Sequence, residues 1–268
     1  MDSYIALGYG DLALASLLVL ANAGLSLALD LGIHRRLLIA AVRMVVQLSL
    51  MGVALTALFS HVSPLWTALA ALVMVGFAGN EVASRQERRL TGLWAYGLGT
   101  GCMMLAATLV TVFALTTALR PQPWYDPRYA VPLLGMILGN TMTGISLGLH
   151  TLTSGLITRR AAVEARLMLG ETRREAMGPV IRQALRSALM PIINSMSATG
   201  VVALPGMMTG QILGGVTPVE AVKYQILILF LIAGGTGLGA VSAVLSGAWR
   251  LSDSRHRLRL DRLTSGKA

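Results

Sequence analysis

The chain has 268 residues, of which 54% are hydrophobic and only 13% charged, with a mean hydropathy of +0.67. An ordinary soluble domain carries about 25% charged residues and cannot hide this much apolar side chain in one core, so a water-soluble fold is excluded. A net charge of +10 and an isoelectric point near 10.8 would suit a nucleic-acid partner in a soluble protein, but the positions of these charges give them another role.

The apolar residues fall in long runs, and about 20 of them in a helix cross roughly 30 Å of hydrocarbon. The opening Met1-Asp2-Ser3-Tyr4 leads directly into such a run, without a basic start or a small-residue cleavage site, so no cleaved leader is expected. In chain order the expected spans are 9–31, 37–59, 64–80, 92–119, 131–156, 188–213 and 223–249, each bounded by charge, proline or both. The expected fold class is an all-α integral membrane protein of about seven transmembrane helices, with a membrane domain over 1–249 and a basic cytoplasmic tail over 250–268. Leu204-Pro205-Gly206 could break the sixth helix, so 204–222 is read either as an outer loop or as a re-entrant segment.

Of the 22 basic residues, 18 lie in alternate connections and the tail: Arg35 and Arg36, then 85–89, 159–186 and 250–267. The other connections hold only Arg120, Arg128 and Lys223, so the positive-inside rule places the N-terminus outside and the C-terminus in the cytoplasm. Trp66, Trp124, Tyr125, Tyr129 and Tyr224 then fall at outer ends, and Trp94, Tyr96 and Trp249 at inner ends, as interfacial aromatics should. The basic excess is thus a topology signal, and no nucleic-acid partner is expected. Thr217-Pro218-Val219-Glu220 reads as the capped start of the last helix, with Lys223 reaching toward the interface. Asp30 and Glu81 are expected to pair locally with Arg35 and Arg85.

The third basic connection, 158–187, is too long and too charged to be a simple turn. Ala161 to Leu169 favours a helix that Gly170 can end, Thr172 can cap a second, and Gly178-Pro179 marks a third start. Leu167, Met168 and Leu169 beside Glu164 and several arginines need a covering surface, either lipid headgroups or a partner protein.

Glu164-Ala165-Arg166-Leu167-Met168-Leu169-Gly170 resembles the EAA-xxx-G coupling loop of ATP-binding-cassette permeases, which docks into a groove of the ATPase subunit. Arg166 stands where that pattern has alanine, and Gln183 where it has proline. Leu204-Pro205-Gly206-Met207-Met208-Thr209-Gly210, followed by Ala221-Val222-Lys223-Tyr224-Gln225-Ile226, resembles the FetB-type permeases more closely. Arg43-Met44-Val45-Val46-Gln47-Leu48, Gly139-Asn140-Thr141-Met142 and Leu169-Gly170-Glu171-Thr172 carry the same resemblance in the same order. That family is associated with bacterial iron export and is related to plant aluminium-sensitivity proteins. The resemblance implies a permease in the bacterial inner membrane, paired with a separate ATPase, two of each per transporter. It also implies coupling residues at Glu164, Ala165, Leu167, Leu169, Gly170 and Thr172.

The residues support one part of this independently. The chain has no G-x-x-x-x-G-K-[ST] phosphate loop, and its sole Gly-Lys pair, Gly266-Lys267, is followed by Ala268. Any ATP and magnesium would therefore sit on the partner, with no cofactor on this chain.

Polar groups inside spans are costly unless paired or facing a cavity, so Arg43, Gln47, Asn140, Asn194 and Thr199 are candidate transport-path residues. Arg43 and Gln47 share one helix face, where Arg43 could equally snorkel to the interface, while Asn140, flanked by Gly139 and Gly144, suits a bond between helices. Met207 and Met208, between Gly206 and Gly210, complete the candidate path. His34, His61, His150 and His256 are scattered without ligand spacing, so no metal ligands are assigned. Cys102 lies in an apolar run and is read as packing. The alternative is a secondary transporter needing no ATPase, although its usual mid-membrane acids are absent here. An intramembrane enzyme is disfavoured by the lack of HExxH, clustered aspartates or a Ser/His pair.

Overall fold

A computed structural model describes residues 8–60, 62–86, 88–253 and 255–264. The Met1-Asp2-Ser3-Tyr4 opening, His61 and the Gly266-Lys267-Ala268 end lie outside the described residues. The helices in chain order are α1 (Tyr9–Ala28), α2 (His34–Ser60), α3 (Pro64–Ser84), α4 (Trp94–Phe113), α5 (Pro127–Thr158), α6 (Arg160–Met168), α7 (Arg173–Ala198), α8 (Gly206–Leu213) and α9 (Pro218–Arg250). A π-helical segment, Ala114–Leu119, prolongs α4. Among the described residues there is no strand, only three isolated bridges.

Six helices, α1 to α5 and α9, are long and apolar enough to cross a bilayer, which makes the chain a multi-pass membrane protein. The sixth expected span, 188–213, is not one helix. α7 enters it from Arg173 and stops at Ala198, and the eight-residue α8 resumes at Gly206. Between them Gly200 takes a left-handed φ of +90° and Pro205 offers no amide donor, two features that end a helix. The Ala203 amide folds back onto the Ala198 carbonyl at 3.1 Å.

The third start expected at Gly178-Pro179 does not occur either, for α7 runs unbroken through Pro179 and Pro191. Its buried face, Ala176, Met177, Val180, Ala184 and Ala188, explains why: packing against neighbours outweighs the local proline signal. Ala188 and Val180 sit directly over Gly148 and Gly155 of α5.

The chain divides into two compact units. In the first, α1 and α2 form a hairpin whose turn is tied by Ser26: its buried hydroxyl accepts from the Ile33 amide at 3.2 Å, and its carbonyl accepts from the Leu31 amide at 2.9 Å. Asp30 and Gly32 adopt positive φ in this turn. Asp30 makes no ion pair with Arg35 among the described residues: it sits in the left-handed turn between the helices, whereas Glu81 meets Arg85 at 3.4 Å one helical turn on.

The second unit packs α3, α4, α7 and α9 around α5. Ile137, Ile145 and Leu152 of α5, Met103 of α4 and Val244 of α9 are fully buried. The α5–α9 crossing is closed by glycines one turn apart, Gly144 and Gly148 on α5 and Gly235 and Gly239 on α9, which let the two backbones approach. A Cβ on Gly239 would fall 2.5 Å from Thr141 Cγ2, one on Gly235 2.7 Å from Ile137 Cγ2, and one on Gly144 2.8 Å from Thr236 Cγ2.

Candidate functional site

The elbow between α5 and α7 is built locally. α5 ends at Thr158, Arg159 turns the chain, and α6 begins at once. Val163 anchors α6 in the core at 3% exposure, and Leu167 packs partly against the same cluster. Arg160 Nε and Glu164 Oε1 pair at 2.8 Å one turn apart on the outer face, where Ala165 is also exposed.

The end of α6 is a Schellman turn. The Glu171 amide donates to the Arg166 carbonyl at 3.2 Å and the Gly170 amide to the Leu167 carbonyl at 3.1 Å, with Gly170 left-handed at φ +93°. Arg166 Nε and Glu171 Oε2, 2.8 Å apart, brace this turn. Thr172 then opens α7 with a capping box: its hydroxyl accepts from the Glu175 amide at 3.4 Å, while its own amide donates to Glu175 Oε2 at 2.9 Å. The Thr172 amide and hydroxyl hold the Glu175 carboxyl below the usual range. The outcome is a rigid corner whose tip, Met168 and Leu169, stands 85% and 84% exposed. Two large apolar side chains on a braced turn form a knob that water does not favour.

The tail clasps the base of this elbow, a feature that sequence reading did not find. The Arg173 amide donates to His256 Nδ1 at 3.0 Å, and Arg173 Nη1 to the Asp253 carbonyl at 3.4 Å. Farther along, the Thr264 amide donates to the Arg89 carbonyl and the Thr91 amide to the Arg262 carbonyl, each at 2.8 Å. Thus Asp253, His256, Arg262 and Thr264 tie the start of α7 to the α3–α4 connection. The tail stays folded through its own ion pairs, Arg257 with Asp253 at 2.8 Å and Arg259 with Asp261 at 2.7 Å. The Arg257 amide and guanidinium lower the Asp253 carboxyl, and Arg259 holds Asp261 down to about 2. The sequence signal of this order is Asp253 and Asp261 flanking Arg255, Arg257 and Arg259.

The candidate path residues occupy several places. Arg43 and Gln47 share an exposed face of α2 in the first unit. Asn140 is exposed on α5, and its Nδ2 donates to the Met136 carbonyl of its own helix at 2.9 Å. Its expected bond across helices is therefore not made among the described residues; Gly144, buried one turn farther along α5, makes the close approach instead. Asn194 lies in the exposed run Ile193–Ser197 of α7, and Thr199 caps that helix by donating to the Ser195 carbonyl at 2.7 Å. Met207 packs partly against the core and Met208 is half-buried, both on α8. At the start of α9, Glu220 pairs with Lys223 at 2.6 Å, and Thr217 makes no side-chain cap.

Not named as path residues from the sequence are Thr111, Thr141, Ser146, Gln225 and Thr236, polar side chains buried inside the bundle with atoms lacking any hydrogen-bond partner among the described residues. The Gly-x-x-x-Gly spacings at 144–148 and 235–239 were the available signal. Among the described residues no three of His, Cys, Asp and Glu converge as metal ligands.

Residues 9–251, nearly the whole chain, match the model of UPF0014, described as an uncharacterised protein family. The chain belongs to the UPF0014 family. It is similar to the UPF0014 membrane protein STAR2 of Oryza sativa, 34% identical over 90% of this chain and 85% of that protein. It is also similar to Protein ALUMINUM SENSITIVE 3 of Arabidopsis thaliana, 32% identical over 86% and 82% of the two chains. The probable iron export permease protein FetB of Escherichia coli is 29% identical over 94% of this chain and 95% of its own. No solved structure matches the chain.

Proposed function

We propose that this UPF0014 protein is the membrane-spanning permease of an ATP-binding-cassette transporter. It would export a metal ion such as iron, or a metal-related solute, from the bacterial cytoplasm across the inner membrane. Two permeases would work with two separate ATPase subunits that bind ATP and magnesium, the N-terminus outside and the elbow and tail inside. The observation that carries the reading is the Met168–Leu169 knob on the braced turn at Gly170. Its exposed apolar tip suits a groove in a partner protein, and its rigidity suits a lever, because a push on α6 passes through Glu171 and Thr172 into α7 without being absorbed. The likeness to FetB supports the cargo class and the permease role. In a dimer, the exposed polar stretch of α7 with Asn194, and Asn140 on α5, would face the partner copy or the substrate, where their hydrogen-bonding groups find water or each other.

The test is co-purification of an ATPase encoded beside this chain. Glu164→Lys reverses the charge on the outer face of α6, and Gly170→Leu cannot hold φ +93°; each should abolish association while membrane insertion stays normal. Association surviving both changes refutes the docking role. Nucleotide-free transport by the purified chain in vesicles under an ion gradient would establish a secondary transporter instead.

A further inference from the structure

The start of α4 meets the end of α9 at an arginine that no carboxylate answers. Arg250, the last residue of α9, holds its guanidinium carbon 5.0 Å from the centre of the Trp94 ring. Trp249 stands beside the same indole, ring centres 6.4 Å apart. Arg262 reaches back from the tail to donate from Nη1 to the Arg250 carbonyl at 2.7 Å, bringing a second guanidinium to this corner. The acids of the tail are engaged elsewhere, Asp253 with Arg257 and Asp261 with Arg259 and the neighbouring Arg262, and Arg250 has no ion pair among the described residues.

Beside this corner lies a cavity of about 370 Å³ lined by Leu93, Trp94, Gly97 and Leu98. Leu93 is 92% exposed at its mouth. Gly97, part of its lining, has open space where a side chain would stand, as has Gly101 one turn on. An apolar cleft that starts at the Arg250 guanidinium, with a second guanidinium and two indoles beside it, has the polarity of one molecule, an amphiphile with an anionic head. Interfacial tryptophan and arginine occupy the depth where such heads lie.

We propose that this corner is a binding site for an anionic phospholipid, with the phosphate at Arg250 and an acyl chain in the cleft over Gly97. The guanidinium over Trp94 is pre-oriented by the ring face, so it gives up little freedom when the phosphate binds. The site makes no use of the elbow and stands or falls independently of the transport reading.

Native mass spectrometry of the detergent-purified full chain with equal amounts of phosphatidylglycerol and phosphatidylcholine tests it. The wild type should retain phosphatidylglycerol in preference, and Arg250→Gln should cut that preference roughly five-fold, the effect of one basic side chain beside anionic lipid. Arg250→Lys should keep most of it, which separates charge from folding. Gly97→Leu fills the cleft and should reduce retention of both lipids. Equal binding of the two lipids by the wild type, or an unchanged preference in Arg250→Gln, overturns the proposal. Displacement of the lipid by millimolar inorganic phosphate would also overturn it, by showing that a bare anion suffices.

Discussion

α2 and α9 are comparably apolar, yet α2 buries no residue while α9 buries a continuous face from Ala221 to Ala248. The difference lies in small residues, not in hydropathy. α9 places Gly235, Gly239, Ala243 and Gly247 one turn apart, a smooth ridge that another backbone can lie against. α2 has a single glycine, Gly52, with open space around it, and its exposed alanines, Ala40, Ala54 and Ala57, do not recur every four residues as a ridge. In a bilayer, apolar side chains gain nothing by leaving lipid for each other, so close packing and hydrogen bonds decide which helices associate. Hydropathy therefore identifies the solvent, and the spacing of small residues identifies the partner.

The largest effect should come from breaking that ridge. Gly239→Val places a side chain onto Thr141 and Ile145, and should lower stability by about 3 kcal/mol, whereas Gly52→Val should stay within about 0.5 kcal/mol. Denaturation in mixed micelles measures both, and equal losses would show that the two units pack alike. A smaller effect tests what orders the hairpin of the first unit. Ser26→Ala removes the acceptor of the Ile33 amide and should cost about 1 kcal/mol locally, read as faster hydrogen exchange at Leu31 and Ile33. Unchanged exchange would mean that the turn is held by its backbone alone.

The smallest effect concerns the tail, which hydrogen bonds tie to the packed unit and which carries ion pairs of its own. Arg259 lowers Asp261 from its ordinary 3.8 to about 2, so this pair supports the tail above pH 3.8 and is lost as pH falls toward 2. Exchange at Thr91 and Thr264 should rise across that window and stay flat near neutrality. Asp261→Asn should remove the step, and a step that persists would assign it to Asp253.

Much of this was legible without coordinates. Long apolar runs bounded by charge determined the membrane class and the positions of α1 to α5 and α9, because hydrocarbon demands a helix of about 20 residues wherever the chain crosses it. The Gly170 turn and the Thr172 cap were equally readable, since each depends on residues within one helical turn. Tertiary structure alone decided the rest. α7 continues through Pro179 because its alanines and Val180 sit on the glycines of α5, a gain invisible at the proline itself. The break after α7 was signalled locally by Leu204-Pro205-Gly206, but the turn of Asn140 onto its own helix and the clasp of His256 on Arg173 join the same class as α7. Each depends on what stands across a contact between segments distant in the chain, or on the lack of any such contact, and no local pattern carries that information.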